Sequence, residues 1–183
     1  MNALKDIVWS VLTPGRGMKL PRLIKEVYLV DWKCAFNYPP RPCAFRWFYG
    51  PCGPTSGKIA ECVESNPSMF RVEETQNPSG LWVKTVYRND LDYKPELTQE
   101  VQKAVDLVNN VATSKDWESL SLLVSSTYPI MQSSMLDEID MEKFAREYQE
   151  LLRHRSSSEG QQPLLPSKLG DTTDACELRD CSK

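Results

Sequence analysis

The chain has 183 residues, of which 40% are hydrophobic and 26% charged, so it can form one packed domain and resembles neither a disordered chain nor a membrane protein. A formal net charge of −3 argues against the broad basic surface used to bind nucleic acid and favours a protein partner. The N-terminal apolar run follows no basic segment, so we expect no signal peptide, no membrane span and a cytoplasmic location.

The first predicted elements are two helices separated by a break. Residues 3–12 form the first helix, which the breakers in "TPGRG" end. The second begins near Met18, tolerates Pro21 in its first turn and continues to about Phe36. It ends before "NYPPRP", because a run of prolines cannot continue a helix.

A short β region follows the second helix. "CAFRWFYG" is rich in aromatic residues and predicts a strand, which "GPCGPTSG" ends. A short helix is expected over "SGKIAECVES". "MFRVEET" and "LWVKTVYR" have strand character and are joined by the turn residues of "QNPSG", so they predict a β-hairpin.

The second half of the chain is predicted to be helical. Apolar residues recur at helical spacing between residues 97 and 111. A further helix is expected from about Asp116, with Ser114 as its N-cap, to Tyr128 before Pro129. The last predicted helix covers "MLDEIDMEKFAREYQELLRH".

The fold class expected from these elements is α+β: a mainly helical single domain with a small antiparallel sheet or hairpin. The domain covers residues 1–152. Residues 153–183 are rich in Ser, Gly and Pro and predict a flexible polar tail.

The cysteines show no metal-binding pattern. Eight or nine residues separate Cys34, Cys43, Cys52 and Cys62, and no C-x-x-C pair occurs among them. The only histidine, His154, lies in a polar region. We therefore expect reduced thiols, no metal site, no cofactor and no catalytic residues.

Asp31 occupies an unexpected position in the second helix. Each helical residue advances by about 100°, so Asp31 shares the apolar face of Ile24 and Val27. A carboxylate buried there needs donors, for which Arg46, Tyr49 and the turn amides after Tyr49 are the candidates. Three interpretations stay open: a half-solvated residue at the edge of the buried face, a catalytic acid or base, and a buried tie between the helix and the turn.

"RLIKEVYLVDWKCAF", followed by an aromatic strand and "WFYGPCGPTSGKI", resembles the Panacea domain of the SocA-like antitoxin family. That family is recognised by a helix ending in a pattern close to "KLLYLAD" and then by "YGP" leading into a helix. The order of the elements agrees with it from about residue 18 to 152. The matching residues are Tyr28, Leu29, Asp31, Tyr49, Gly50 and Pro51.

The resemblance implies a non-enzymatic antitoxin that binds and neutralises a cognate toxin, or delivers it for proteolysis, with a protease or chaperone as a further partner. It also implies that Asp31 ties the second helix to the "YGP" turn. Aromatic residues anchor many protein interfaces, although in strands they more often belong to the core. The candidate partner-binding residues are Phe45, Trp47, Phe48, Trp82 and Tyr87.

Two other functions remain open. One is a phage- or defence-related interaction module on the same fold, since a fold does not fix a function. The other is a small hydrolase with a cysteine nucleophile, which lacks a histidine base within the predicted domain and any G-x-S-x-G motif.

Overall fold

The computed structural model describes residues 3–43, 45–89 and 92–158. The expected α+β class is confirmed: helices dominate, and two small antiparallel sheets accompany them. In chain order, the helices are α1 (Ala3–Val11), α2 (Leu20–Asn37), α3 (Gly57–Glu64), α4 (Gln99–Thr113), α5 (Trp117–Ser125), α6 (Tyr128–Gln132) and α7 (Met141–Ser158). The strands are β1 (Met18–Lys19), β2 (Trp47–Gly50), β3 (Gly53–Thr55), β4 (Phe70–Gln76), β5 (Trp82–Arg88) and β6 (Glu138–Ile139).

Each sheet has three strands. The first has the order β1-β5-β4, and the predicted hairpin forms its larger part, with Phe70 opposite Arg88 and Gln76 opposite Trp82. The second has the order β3-β2-β6 and is built around the predicted aromatic strand. Neither sheet is large enough to bury a core alone, so both depend on the helices beside them.

Helix α2 is the centre of the fold. It packs against α1, α4, α5 and α7 and also contacts both sheets. Leu23, Val27 and Val30 are fully buried on it, together with Tyr28 and Asp31. Because α2 meets most other elements, its polar side chains determine how those elements are fixed to one another.

Several predicted boundaries are wrong. Met18 belongs to β1 rather than to α2, whereas Pro21 does lie in the first turn of α2. The N-cap of α5 is Asp116, which accepts a hydrogen bond from the Ser119 amide, and Ser114 instead caps the C-terminus of α4. Tyr128 begins α6, because a proline is tolerated in the first turn of a helix.

The last predicted helix begins later than expected. Residues 135–140 form a connection that contains β6, and only then does α7 begin at Met141. It continues through residues 153–158, which the sequence assigned to the tail, and residues 159–183 lie outside the described part of the chain. Within the described ranges, no helix combines the length and apolar character needed to cross a membrane.

Candidate functional site

Asp31 is completely buried, which excludes a half-solvated residue at the edge of the helix face. Its Oδ2 atom accepts hydrogen bonds from Arg41 Nη2 at 2.9 Å and from the Trp47 indole nitrogen at 2.8 Å, and Arg41 Nε lies 3.4 Å from Oδ1. These donors provide the pairing that a buried carboxylate requires.

Arg41 brings the proline-rich loop onto α2. Its Nη2 atom also donates to the carbonyl oxygens of Cys43 and Phe45, at 2.7 and 2.9 Å. One guanidinium group therefore joins Asp31 to the loop that leads into β2. The donors expected from sequence are wrong: Arg46 pairs instead with Glu138 on the surface, and neither Arg46 nor Tyr49 bonds to Asp31.

The electrostatics around Asp31 favour a structural role. Burial raises the pKa of Asp31, while Arg41 and the Trp47 indole oppose this rise. Burial also raises the pKa of the Cys34 thiol to about 12 and the pKa of the Cys43 thiol well above its ordinary value, in both cases with a further contribution from the Asp31 charge. Asp31 is therefore a buried and paired carboxylate beside two buried thiols, and its contacts join α2 to β2 and to the loop that precedes β2.

Lys25, rather than Asp31, ties α2 to the "YGP" turn. Its side chain is buried, and its ammonium group donates to the carbonyl oxygen of Cys52 in the turn between β2 and β3. The same group lies 5.0 Å from the centre of the Trp117 ring on α5. No carboxylate pairs with it among the described residues, and burial lowers the pKa of Lys25. Gly53 completes the turn with φ +104°, a conformation that favours glycine.

The other motif residues support the same framework. The Tyr28 hydroxyl lies 2.8 Å from Thr127 Oγ1, and the Tyr28 ring meets the Trp47 ring edge-on at 5.3 Å. Leu29 and Gly50 are buried, and a Cβ atom at Gly50 would lie 3.2 Å from Thr55 Cγ2. Tyr49 exchanges backbone hydrogen bonds with Asp137 and Leu136, whereas Pro51 is exposed on the turn. The motif therefore lies mostly inside the protein.

Three of the five predicted partner-binding aromatics are committed to internal contacts. Trp47 is fully buried against Asp31 and is not available to a partner. Phe45 is half-buried, with its ring 5.3 Å from that of Trp47. The Tyr87 ring lies against Gly17, where a Cβ atom would come within 2.5 Å of it, and Arg71 lies 4.3 Å from the centre of the same ring.

The other two aromatics are accessible. Phe48 is 41% exposed on β2, and Trp82 is 68% exposed at the start of β5. Leu81, which the sequence did not single out, is 59% exposed beside Trp82 at the tip of the hairpin. The sequence feature that could have identified Leu81 as exposed is its position next to the turn, where a large apolar side chain has little opportunity for burial. Leu122 and Leu136 are also exposed apolar residues that the sequence did not identify.

Within the described ranges, no three His, Cys, Asp or Glu side chains come together as a metal site requires. Comparison with known proteins gives no match: no family model, no curated protein and no solved structure matches this chain.

Proposed function

We propose that this protein is an antitoxin-like binding protein of the cytoplasm, which captures a cognate toxin by direct contact and catalyses no reaction. Neutralisation follows from complex formation or from delivery of the bound toxin to a protease. The observation that carries the proposal is the hairpin tip, where Leu81 and Trp82 present adjacent exposed apolar side chains. The sequence resemblance to the Panacea domain supplies the choice of toxin as partner.

The hairpin tip is held in a defined conformation. Asn77 Oδ1 accepts from the amides of Ser79 and Leu81, at 3.1 and 2.8 Å, and the Asn77 amide donates to the Leu81 carbonyl at 2.9 Å. Gly80 provides the positive φ of +80° that the turn requires. A rigid loop loses less conformational entropy on binding, so these contacts favour Trp82 as an interface anchor.

The chemistry of the buried cysteines supports binding over catalysis. Burial raises the pKa of Cys34 to about 12, that of Cys62 to about 11 and that of Cys43 well above its ordinary value. A thiol must ionise to act as a nucleophile, so these three are poor candidates for a hydrolase. Cys52 is the exposed one of the four cysteines in the described residues, and replacing it provides a direct control.

The test is co-expression with the product of the neighbouring gene, scored by growth and by co-purification. We compare the wild type with Trp82→Ser, and we use Leu122→Ser as the matched control because Leu122 is equally exposed but lies on α5. Cys52→Ser is tested in parallel. The proposal expects rescue and co-purification by the wild type and by both controls, and their loss in Trp82→Ser.

Three results would count against the proposal. A neighbouring product that is harmless alone or does not bind favours the interaction module without a toxin. Rescue that depends on Cys52 favours the hydrolase. Equal rescue by Trp82→Ser and the wild type removes the hairpin tip as the binding surface.

A further inference from the structure

A small cavity lies between the end of α1, the segment that joins α1 to α2, the first turns of α2, and α4. Its volume is about 230 Å³, which is below the roughly 300–1,000 Å³ of pockets for drug-sized ligands and suits a small metabolite. Most of its lining is polar. The charged lining residues are Arg16, Lys19, Arg22 and Glu26.

Hydrogen bonds fix the walls of this cavity to one another. Arg22 donates to the carbonyl oxygens of Ala112 and Lys115, at 2.7 and 3.0 Å, and so joins α2 to the end of α4. Asn109 on α4 donates to the Ser10 carbonyl at 3.0 Å and joins α4 to α1. Because these walls are fixed before binding, a ligand that enters the cavity orders little of the protein.

Two cations at the cavity are not used by the fold. The Arg16 amide donates to the Thr13 carbonyl at 3.2 Å, and Gly15 has the positive φ of +70° that the third position of a type II turn requires. This turn holds the Arg16 backbone beside the cavity. Arg16 and Lys19 are exposed, and neither forms an ion pair with a carboxylate of the described residues.

Glu26 supplies the opposite charge on the cavity wall. It is only 3% exposed, and its Oε1 atom accepts from Arg22 Nε at 2.8 Å. Its Oε2 atom accepts no hydrogen bond from any described residue, and yet it is not sealed inside the protein. Since Glu26 lines the cavity, Oε2 is available there to a donor on a ligand. Burial raises the pKa of Glu26, and Arg22 and Arg16 oppose this rise, so Arg16 also acts on this carboxyl group.

The arrangement of charges selects the class of ligand. A simple anion would be attracted by Arg16 and Lys19 but would meet the unbonded oxygen of Glu26, whereas a simple cation would pair with Glu26 but meet two uncompensated cations. A small molecule that carries both an ammonium group and a carboxylate group complements both kinds of charge through charge-assisted hydrogen bonds.

We propose that this cavity binds a small amino acid in its zwitterionic form. The ammonium group of the ligand donates to Glu26 Oε2, and its carboxylate accepts from Arg16 and Lys19. Val11 and Met18, which also line the cavity, leave room for a short apolar side chain. The proposal is independent of the toxin-binding function, because none of the residues that line the cavity belongs to the hairpin tip.

The experiment is calorimetric titration of the purified full chain with L-alanine, L-leucine, β-alanine and 4-aminobutanoate. These probes vary the side chain and the separation between the two charged groups. We expect at least one of them to bind with a Kd of about 1 mM or tighter. The amide and the deamino analogue of the tightest probe each lack one charged group, and each should bind at least about tenfold more weakly.

The cations are tested by the double variant Arg16→Gln with Lys19→Gln. It should weaken binding of the amino acid at least about tenfold and leave binding of the amide unchanged, since the amide has no carboxylate. The matched control is Lys94→Gln with Lys103→Gln, which removes the same charge from two exposed positions outside the cavity. The control should bind like the wild type.

The carboxylate is tested by Glu26→Gln. This variant should weaken binding of the amino acid at least about tenfold and should remove its advantage over the deamino analogue. Because the change also weakens the contact with Arg22, its folding is checked by thermal denaturation. The exposed double variant provides the same test without altering a buried residue.

Three outcomes would overturn the proposal. The first is that none of the four amino acids binds to the wild type. The second is that the amide or the deamino analogue binds as tightly as the amino acid, because one charge would then be sufficient. The third is that the double variant Arg16→Gln with Lys19→Gln binds like the wild type, because the ligand would then lie elsewhere. Toxin rescue is scored separately and does not depend on any of these results.

Discussion

Strands β2 and β5 both carry aromatic residues, but the protein uses them differently. On β2, Trp47 is directed inward to donate to Asp31, and Phe45 from the loop before the strand packs beside it. On β5, Tyr87 is covered by Arg71, while Trp82 has no ring contact in the described structure and is mostly exposed. Trp47 and Tyr87 therefore stabilise the fold through internal contacts, whereas Trp82 lies at the start of β5, beside the turn, and its side chain is accessible to a partner.

The largest expected effect comes from removing the charge partner on the β2 side. Arg41→Ala leaves the Asp31 carboxylate buried without its cation, so we expect a loss of about 3–5 kcal/mol in the free energy of unfolding. Chemical denaturation measures it. Asp31→Asn combined with Arg41→Met should recover much of this loss, because no unpaired charge then remains. A loss below about 1 kcal/mol in Arg41→Ala would show that the pair is not buried as described.

A smaller loss is expected from Trp47→Phe. The change removes the indole donor to Asp31 but keeps an aromatic ring against Tyr28, so the free energy of unfolding should fall by about 1–3 kcal/mol. In the Asp31→Asn background, Trp47→Phe should lower the free energy of unfolding by less, since a buried neutral amide loses less than a buried carboxylate when its hydrogen-bond donor is removed. Equal costs in both backgrounds would argue that packing, rather than the hydrogen bond, determines the effect.

On the β5 side, Gly17→Ala tests the close packing of the Tyr87 ring against Gly17. The added methyl group would meet the Tyr87 ring at 2.5 Å and Thr85 Cγ2 at 2.7 Å, so either the ring or the backbone must move. We expect a loss of about 1–3 kcal/mol by thermal or chemical denaturation. Gly57→Ala is the control, because nothing lies within 4 Å of a Cβ atom there. A Gly17→Ala loss no larger than that of the control would contradict the close approach.

Lys25→Met should change stability by less than about 1 kcal/mol at neutral pH, because losing the bond to the Cys52 carbonyl is offset by no longer burying a charge. Burial lowers the pKa of Lys25 in the folded state. Between this lowered pKa and the ordinary lysine value, the unfolded chain therefore binds more protons than the folded protein. Wild-type stability relative to Lys25→Met should therefore rise with pH, up to the ordinary lysine value of about 10.4. Denaturation at a series of pH values measures this difference, and a difference that falls with rising pH would contradict it.

The smallest effect on stability is expected from Trp82→Ser. The indole is 68% exposed, so its removal should change the free energy of unfolding by less than about 0.5 kcal/mol. Denaturation of the wild type and the variant under the same conditions measures it. A loss above about 1 kcal/mol would mean that the indole packs against the protein, which would weaken its role as an interface anchor.

Much of the fold could be predicted from the sequence, because periodicity and turn residues are local signals. The hairpin and α4 follow directly from such patterns. Where one residue type has two uses, the prediction failed: Pro129 suggested the end of a helix but lies in the first turn of α6. Ser114 and Asp116 are both good capping residues, and the tertiary fold determines which one caps α5.

The site was only partly predictable. Helical spacing correctly indicated that Asp31 faces the core, but it could not identify Arg41, which lies in an irregular loop without periodicity. Strand alternation alone could not show that Trp47 is directed inward and Phe48 outward, because aromatic residues occupy both positions. Long-range partners such as Lys25 and the Cys52 carbonyl depend on packing between elements that are distant in sequence.

The most direct test of the proposed function is the dissociation constant of the complex between the purified protein and the product of the neighbouring gene. We predict measurable binding by the wild type and at least about tenfold weaker binding by Trp82→Ser, with unchanged binding by Leu122→Ser. Binding that is absent in the wild type, or equally strong in all three proteins, would contradict the proposal that the hairpin tip captures a toxin.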